Sequence, residues 1–281
     1  MGPVEGAQLG FEFETTRLVK LTPARLATWS DCPRRYRMTY VDKPPPPRGG
    51  ARAASTLGAV VHLALRALFD LPAPRRTREA AAGLVDRNWS SEGFRDAAQA
   101  AQYRERARGW VADYAEGLDP EDEPVGREQW VSVSTERIVV EGRVDRIDRR
   151  GAELVVVDYK SGSHVPTERD AADSPALALY ALATERTLRR PCTQVELHHL
   201  PSGEVHAWRH DRDSLRAHLR RAEEAAGEFA AATDELERGG DPDVLFPPRP
   251  APRCGSCDMR RNCPEGRAAA PETVPWSHLV P

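Results

Sequence analysis

The chain has 281 residues, 40% of them hydrophobic, and its 40 lysines and arginines face 43 acidic residues for a formal net charge of -3. That length suits one large domain with elaborations, and the near-neutral balance excludes a globally basic nucleic-acid binder while leaving room for a local basic groove. No apolar run approaches the roughly 18 residues of a membrane span and no signal-peptide core opens the chain, so the expectation is a cytoplasmic protein without membrane contact.

Residues 1–20 show no periodicity and read as a flexible arm. Thr22-Pro23 is an N-cap followed by an N1 proline, opening a helix through Trp29, and Cys32-Pro33 opens a second short helix bearing Arg34, Arg35, Tyr36 and Arg37. The prolines from Pro44 to Pro47 with Gly49-Gly50 predict a loop. Ser55 is placed to cap an amphipathic helix whose apolar face is Leu57, Val60, Val61, Ala64, Leu65 and Leu68. Polar helices follow near 77–90 and 96–117. Strands are expected near 129–140, 142–149 and 153–160, then a helix from Pro175 to Leu188. A strand pair near 194–200 and 204–209 turns at Pro201-Ser202-Gly203, and a charged helix covers 212–238. A proline-rich connector from Pro242 to Pro252 leads to three cysteines. The sum is a mixed α/β core with helical N-terminal and cysteine-bearing C-terminal additions.

Only three of the 40 basic residues are lysine, Lys20, Lys43 and Lys160. Lys160 ends the run Glu153-Leu-Val-Val-Val-Asp158-Tyr159-Lys160. Residues two apart on a strand share a face, about 6.6 Å apart along the chain, so Asp158 and Lys160 project together where a strand leaves the core. Asp145, in Gly142-Arg-Val-Asp145, is placed to bring a second carboxylate beside Asp158. Two such charges about 4 Å apart repel by about 4 kcal/mol at an effective dielectric near 20, and hard oxygen ligands favour Mg²⁺ or Mn²⁺ between them. The bland alternative for an isolated Asp-x-Lys is a solvated hairpin. His62 falls beside the apolar stripe of its helix, where it either hydrogen-bonds backbone or reaches a metal at the strand ends.

Five cysteines form no even disulfide framework. Cys254, Cys257 and Cys263 have the spacing C-x2-C-x5-C, which points to a soft metal site lacking one local ligand. Cys32 is the natural fourth, because Cys192 sits within the core segment. Spacing alone leaves zinc and an iron–sulfur cluster equally open.

Taken in order, these segments resemble the RecB-like branch of the PD-(D/E)xK nucleases, which includes AddB-type repair nucleases and the CRISPR-associated adaptation nucleases that carry a 4Fe–4S cluster. The likeness rests on Leu21-Thr-Pro-Ala-Arg25-Leu26 with Cys32-Pro33-Arg34-Arg35-Tyr36, Gly58-Ala-Val-Val-His62, Gly142-Arg-Val-Asp145-Arg-Ile-Asp148, Asp158-Tyr159-Lys160 and the three late cysteines. It implies a restriction-endonuclease-like mixed sheet flanked by helices over residues 21–264, with 21–50 and 245–264 jointly forming the cluster region and 265–281 a tail. It further implies that His62, Asp145 and Asp158 ligate Mg²⁺ or Mn²⁺ with the Tyr159 carbonyl, that Lys160 is catalytic, and that Cys32, Cys254, Cys257 and Cys263 hold a 4Fe–4S cluster. The expected activity is a metal-dependent DNA nuclease, an exonuclease in repair or recombination, acting on single strands or ends. Arg34, Arg35 and Arg37 are expected to track phosphates beside Tyr36 and Tyr40, with Tyr180 a further DNA contact. The family helix reading Gln-x-x-x-Tyr is here Ala176-Leu-Ala-Leu-Tyr180, which leaves open a weakened, DNA-binding iron–sulfur module; a zinc-stabilised interaction protein is the third alternative. No Walker A motif occurs, so a helicase motor would be a separate partner.

Overall fold

The computed structural model describes residues 18–119 and 123–279. Most of the expected arm thus lies outside the described residues, but its end does not read as an arm: Val19–Leu21 form strand β1. Helix α1 (Pro23–Asp31) starts where expected, with the Thr22 hydroxyl accepting from the Arg25 amide. Helix α2 (Pro33–Tyr36) runs on as a wider π-type turn over Arg37–Val41. Helix α3 (Ala53–Phe69) begins two residues before Ser55, which therefore caps nothing. Its first amide, Ala53 N–H, donates instead to Pro275 O at 3.1 Å, so the stretch read as a loose tail folds back to satisfy an orphan helix donor.

Helices α4 (Arg78–Asn88) and α5 (Ala97–Glu116), capped by Thr77 and Asp96, match the polar helical stretches. Strands β2 (Gly126–Ser134), β3 (Ile138–Arg150) and β4 (Glu153–Lys160) follow; the break expected at 141 falls instead at 135–137. Helix α6 (Glu168–Asp173), a short capping-box helix, was not anticipated, whereas α7 (Pro175–Leu188) was. Then come β5 (Cys192–His199), β6 (Glu204–Arg209) and α8 (Arg212–Glu237). The proline-rich connector holds one helical turn, α9 (Pro242–Leu245), and the cysteines sit in 3-10 turns ahead of α10 (Pro264–Ala269). Among the described residues no helix is long and apolar enough to cross a membrane.

The described strands form one mixed sheet in the order β1-β3-β4-β5-β6, with β2 on the other edge of β3. β3 is long enough to pair parallel with β1 through Ile138–Val140 and antiparallel with β4 through Arg146–Arg150 along the same edge. Residues 141–145 lie between these two partners, and the site described below is built there. Apolar residues alternate along β4. Val155, Val157 and Tyr159 pack under α3, α4 and α5, while Leu154 and Val156 pack under α7 and α8. A third cluster, centred on Trp29, Tyr36, Phe229 and Phe246, seats α1 and α2 against α8.

One polar network crosses the sheet behind Tyr159. Tyr114 Oη accepts from Arg146 at 2.9 Å and lies 2.9 Å from His198 Nδ1, and His198 Nε2 is 2.9 Å from Glu196. Glu196, 2% exposed, also accepts both Arg150 nitrogens at 2.7 and 3.0 Å. Burial opposes its charge, but the His198 hydrogen bond and the Arg150 guanidinium outweigh it and hold the carboxyl down at about 2, from an ordinary 4.5. A lowered carboxyl stabilises the fold above the unfolded value and loses that contribution as pH falls toward the folded one. The difference is worth about 3 kcal/mol, present above pH 4.5 and lost toward pH 2. Urea unfolding of Glu196→Gln is therefore expected to show a loss of about 3 kcal/mol at pH 7 and a flattened acid limb between pH 4.5 and 2. A variant whose acid limb matches the parent's would show that the network adds no net stability.

Candidate active site

The antiparallel registers place three carboxylates in one row. In β2 and β3 the pairs Arg127–Arg146 and Gln129–Val144 flank Glu128 opposite Asp145. In β3 and β4 the last ladder pair is Arg146–Val157, so Asp145 and Asp158 are next in line. There the strands part, and the Tyr159 N–H donates to the Asp145 side chain, Oδ2 at 3.1 Å, instead of to backbone. Glu128 adopts a left-handed backbone, φ 48°, which an ordinary side chain rarely takes and which concentrates at functional positions.

His62 arrives from α3. Its Nδ1 is 3.3 Å from Asp145 Oδ1 and its Nε2 is 3.1 Å from the Tyr159 carbonyl oxygen. Both ring nitrogens therefore face acceptors. Burial pulls the imidazole down, but the hydrogen bond and charge of Asp145 and the charge of Asp158 prevail and raise it. Lys160 brings its ammonium to 2.5 Å from the buried Asp158 Oδ2. Loss of hydration pushes the Asp158 carboxyl up, and neighbouring Asp145 adds to it, against the pull of Lys160 and His62.

Glu128 was not among the residues expected in the site. It offers an oxygen that, with one atom each of His62 and Asp145, forms a group of potential metal ligands all within 4.8 Å of one another. The signal for it was present only as an acid at the start of a strand; the register had to be known before it could be matched to Asp145. An imidazole and clustered carboxylates suit a small divalent cation such as Mg²⁺ or Mn²⁺. Tyr180 stands beside the acids, as its position after Asp158-x-Lys160 suggested. A Cβ on Gly142 would lie 2.6 Å from its ring, so only glycine admits the tyrosine there. Burial, then Asp145 and Asp158, push its hydroxyl up to about 12. His62, Glu128, Asp145 and Tyr180 border a cavity of about 670 Å³, which Leu63, Arg66, Trp130 and Arg143 also line.

The arginines expected to track phosphates do something else. Arg34 is 6% exposed and pairs with Glu265 at 2.7 Å and Asp243 at 2.9 Å. Arg35 pairs with Asp258 at 2.9 Å, and Arg37 lies 3.4 Å from Asp42 and 3.8 Å from Asp243. They clasp the C-terminal segment because acids more than 200 residues away supply the counter-charges. Their location beside cysteines was readable from sequence, but the identity of their partners was not.

Cys32, Cys254, Cys257 and Cys263 line one cavity of about 340 Å³ with several of these arginines, while Cys192 is buried under α7. All five are free thiols. A tetrahedral zinc site would hold its sulfurs about 3.8 Å apart, given zinc–sulfur bonds near 2.3 Å. Here no three of the four sulfurs fall within 4.8 Å of one another. The Gly266 N–H points at Cys263 Sγ, 3.3 Å away, and a Cβ there would press on that sulfur.

Comparison with known proteins bears on this arrangement. The sequence profile of the PD-(D/E)XK nuclease superfamily matches residues 20–264. No curated protein matches the sequence significantly. Among solved structures, that of a "putative exonuclease" from Eubacterium rectale superimposes with a TM-score of 0.50 over 92% of this chain and 94% of the other, at 9% identity, a likeness of fold. The mixed six-stranded sheet with flanking helices is the fold of that superfamily, and the chain belongs to the PD-(D/E)XK nuclease superfamily.

Proposed function

We propose that this protein is a metal-dependent deoxyribonuclease of the RecB-like branch, an exonuclease working in DNA repair or recombination. The observation that carries the reading is the convergence of Glu128, Asp145, Asp158 and Lys160 where β3 and β4 part, with His62 of α3 in direct contact with Asp145. A structural role for such a cluster is disfavoured, because adjacent carboxylates repel and Asp158 is held among them against the cost of its burial.

His62, Asp145 and Asp158 are the proposed metal ligands, with the Tyr159 carbonyl and Glu128 adjoining them. A divalent cation held there supplies Lewis-acid polarisation of the scissile phosphate and a more acidic attacking water. To serve as a ligand His62 gives up a proton, so the bound state is favoured above the raised value of this imidazole. Lys160 is nearly half exposed and can turn from Asp158 to a phosphoryl oxygen, where its ammonium stabilises charge that grows in the transition state. Tyr180 and the left-handed Glu128 hold the shape of the acidic row.

The four-cysteine cavity is proposed to hold a 4Fe–4S cluster that joins residues 21–50 to 245–264 and takes no part in hydrolysis. The four cysteines lining one cavity, the amide aimed at Cys263 and the cationic wall support a thiolate-bound metal group there. Alanine at 176 removes the family glutamine from α7, but the complete acidic row and Lys160 favour an active enzyme over a decayed binding module.

Two outcomes test the reading. Asp145→Ala and Asp158→Ala are expected to abolish Mn²⁺-dependent cleavage of end-labelled DNA, and Lys160→Arg to lower kcat on the order of 10²-fold or more, because a planar fork cannot replace a compact ammonium. DNA affinity measured in Ca²⁺ should stay close to wild type, and a fully active Lys160→Arg protein would remove the lysine from the chemistry. Separately, iron analysis and limited proteolysis of anaerobically purified protein should show Cys32→Ala losing iron and loosening both terminal segments, with Cys192→Ala unaffected. Full iron in Cys32→Ala would reassign the fourth ligand, and stoichiometric zinc without iron in the parent would replace the cluster by zinc.

A further inference from the structure

The cleft contains side chains that hydrolysis does not use. Trp130 lies two residues beyond Glu128 on β2, paired in register with Arg143, and is 63% exposed. Leu63 follows His62 on α3 and is 46% exposed. Both border the cavity that holds His62, Asp145 and Glu128. A single exposed apolar side chain is ordinary. Two of them on the rim of one reactive cleft, one an indole, form a surface that needs a flat apolar guest.

The charges around them narrow the guest further. Arg66, one turn along α3 from His62, has no ion pair among the described residues. Arg143 is about half exposed and is steadied by Glu128, Nε to Oε2 2.6 Å. An indole paired in register with Arg143, in a cavity that Arg66 also lines, at a phosphodiester-cleaving centre matches one chemistry, a nucleobase stacked on the ring with its flanking phosphates on the cations.

We propose that Trp130, opposed by Leu63, is the stacking platform that makes this site select single-stranded DNA. A base within a duplex is already stacked and paired and cannot offer its face to the indole, so selection follows from geometry and not from net affinity for phosphate. The inference deepens the nuclease reading and rests on it for the substrate class. Trp130 acts as a specificity residue; it touches neither the carboxylates nor Lys160 in the role assigned.

The test compares three substrates of equal length in Mn²⁺: oligothymidine, a chain of abasic tetrahydrofuran units, and an oligothymidine–oligoadenosine duplex. Wild type is expected to show a KM for oligothymidine about 10- to 100-fold below that for the abasic chain, the range for one stacked base. Trp130→Ala should lose that preference, and with it the preference for single strand over duplex, while kcat and the abasic KM stay within about twofold. Trp130→Phe should recover most of it and Trp130→Leu should not. An unchanged preference in Trp130→Ala, or equal losses on all three substrates, overturns the platform. If wild type cleaves none of them, the nuclease reading fails, and anisotropy of labelled oligothymidine in Ca²⁺ still decides the platform: equal affinity in wild type and Trp130→Ala sinks it, and loss in Trp130→Ala recovered in Trp130→Phe upholds it.

Discussion

Mutual repulsion in the row Glu128, Asp145 and Asp158 is the constraint around which the rest of this structure is arranged. Carboxylates brought together at a half-buried strand end need positive charge from every side. Lys160 comes from the same strand, Arg143 from the next, and His62 from the helix above. The ladder between β3 and β4 stops at this row because the Asp145 side chain takes the Tyr159 amide that backbone pairing would have used. What would otherwise be a continuous sheet is opened by the charges placed in it.

The surrounding elements hold that opening in shape. α7 can approach only because position 142 lacks a Cβ, which lets Tyr180 lie against β3. Behind the sheet, Tyr159 is buried beside Tyr114 and His198, so the residue between Asp158 and Lys160 is fixed from the opposite face. The Tyr114–His198–Glu196 chain ends on Arg150, partly exposed to solvent, where a buried negative charge finds its counter-ion.

Arginine serves two purposes in this chain, and bulk composition conceals both. Some guanidinium groups are structural forks, as Arg34 is between Asp243 and Glu265, or Arg146 on Asp148. Others, such as Arg66 and Arg143, face the open cleft. The N-terminal helices and the cysteine-bearing turns are tied by ion pairs, by the shared cysteine cavity, and by the Pro275 carbonyl on the first amide of α3. A cofactor in that cavity would reinforce a junction that polar contacts already define.

Local sequence carried a good deal of this. Thr22-Pro23 and Ser174-Pro175 start helices because a hydroxyl cap and a fixed φ act within three residues, and the unbroken apolar run at 154–157 marks a strand covered on both faces. Asp158 and Lys160 were placed together by a period-two rule that needs no tertiary information, and Cys32 was matched to the late cysteines because Cys192 had a core segment around it. Whatever depended on a distant partner stayed hidden. Ser55 looked like a cap because the carbonyl that serves α3 is that of Pro275. Arg34 looked free because Asp243 and Glu265 lie over 200 residues away. Glu128 looked like an ordinary strand acid until the register of β2 on β3 set it opposite Asp145, and Trp130 became part of a cleft wall only once α3 stood across from it. Capping, the two-residue period of a strand and the length of an apolar run are local, so the sequence by itself determines them; register, ion-pair choice and cleft walls are set by packing between remote segments, and only the folded chain decides those.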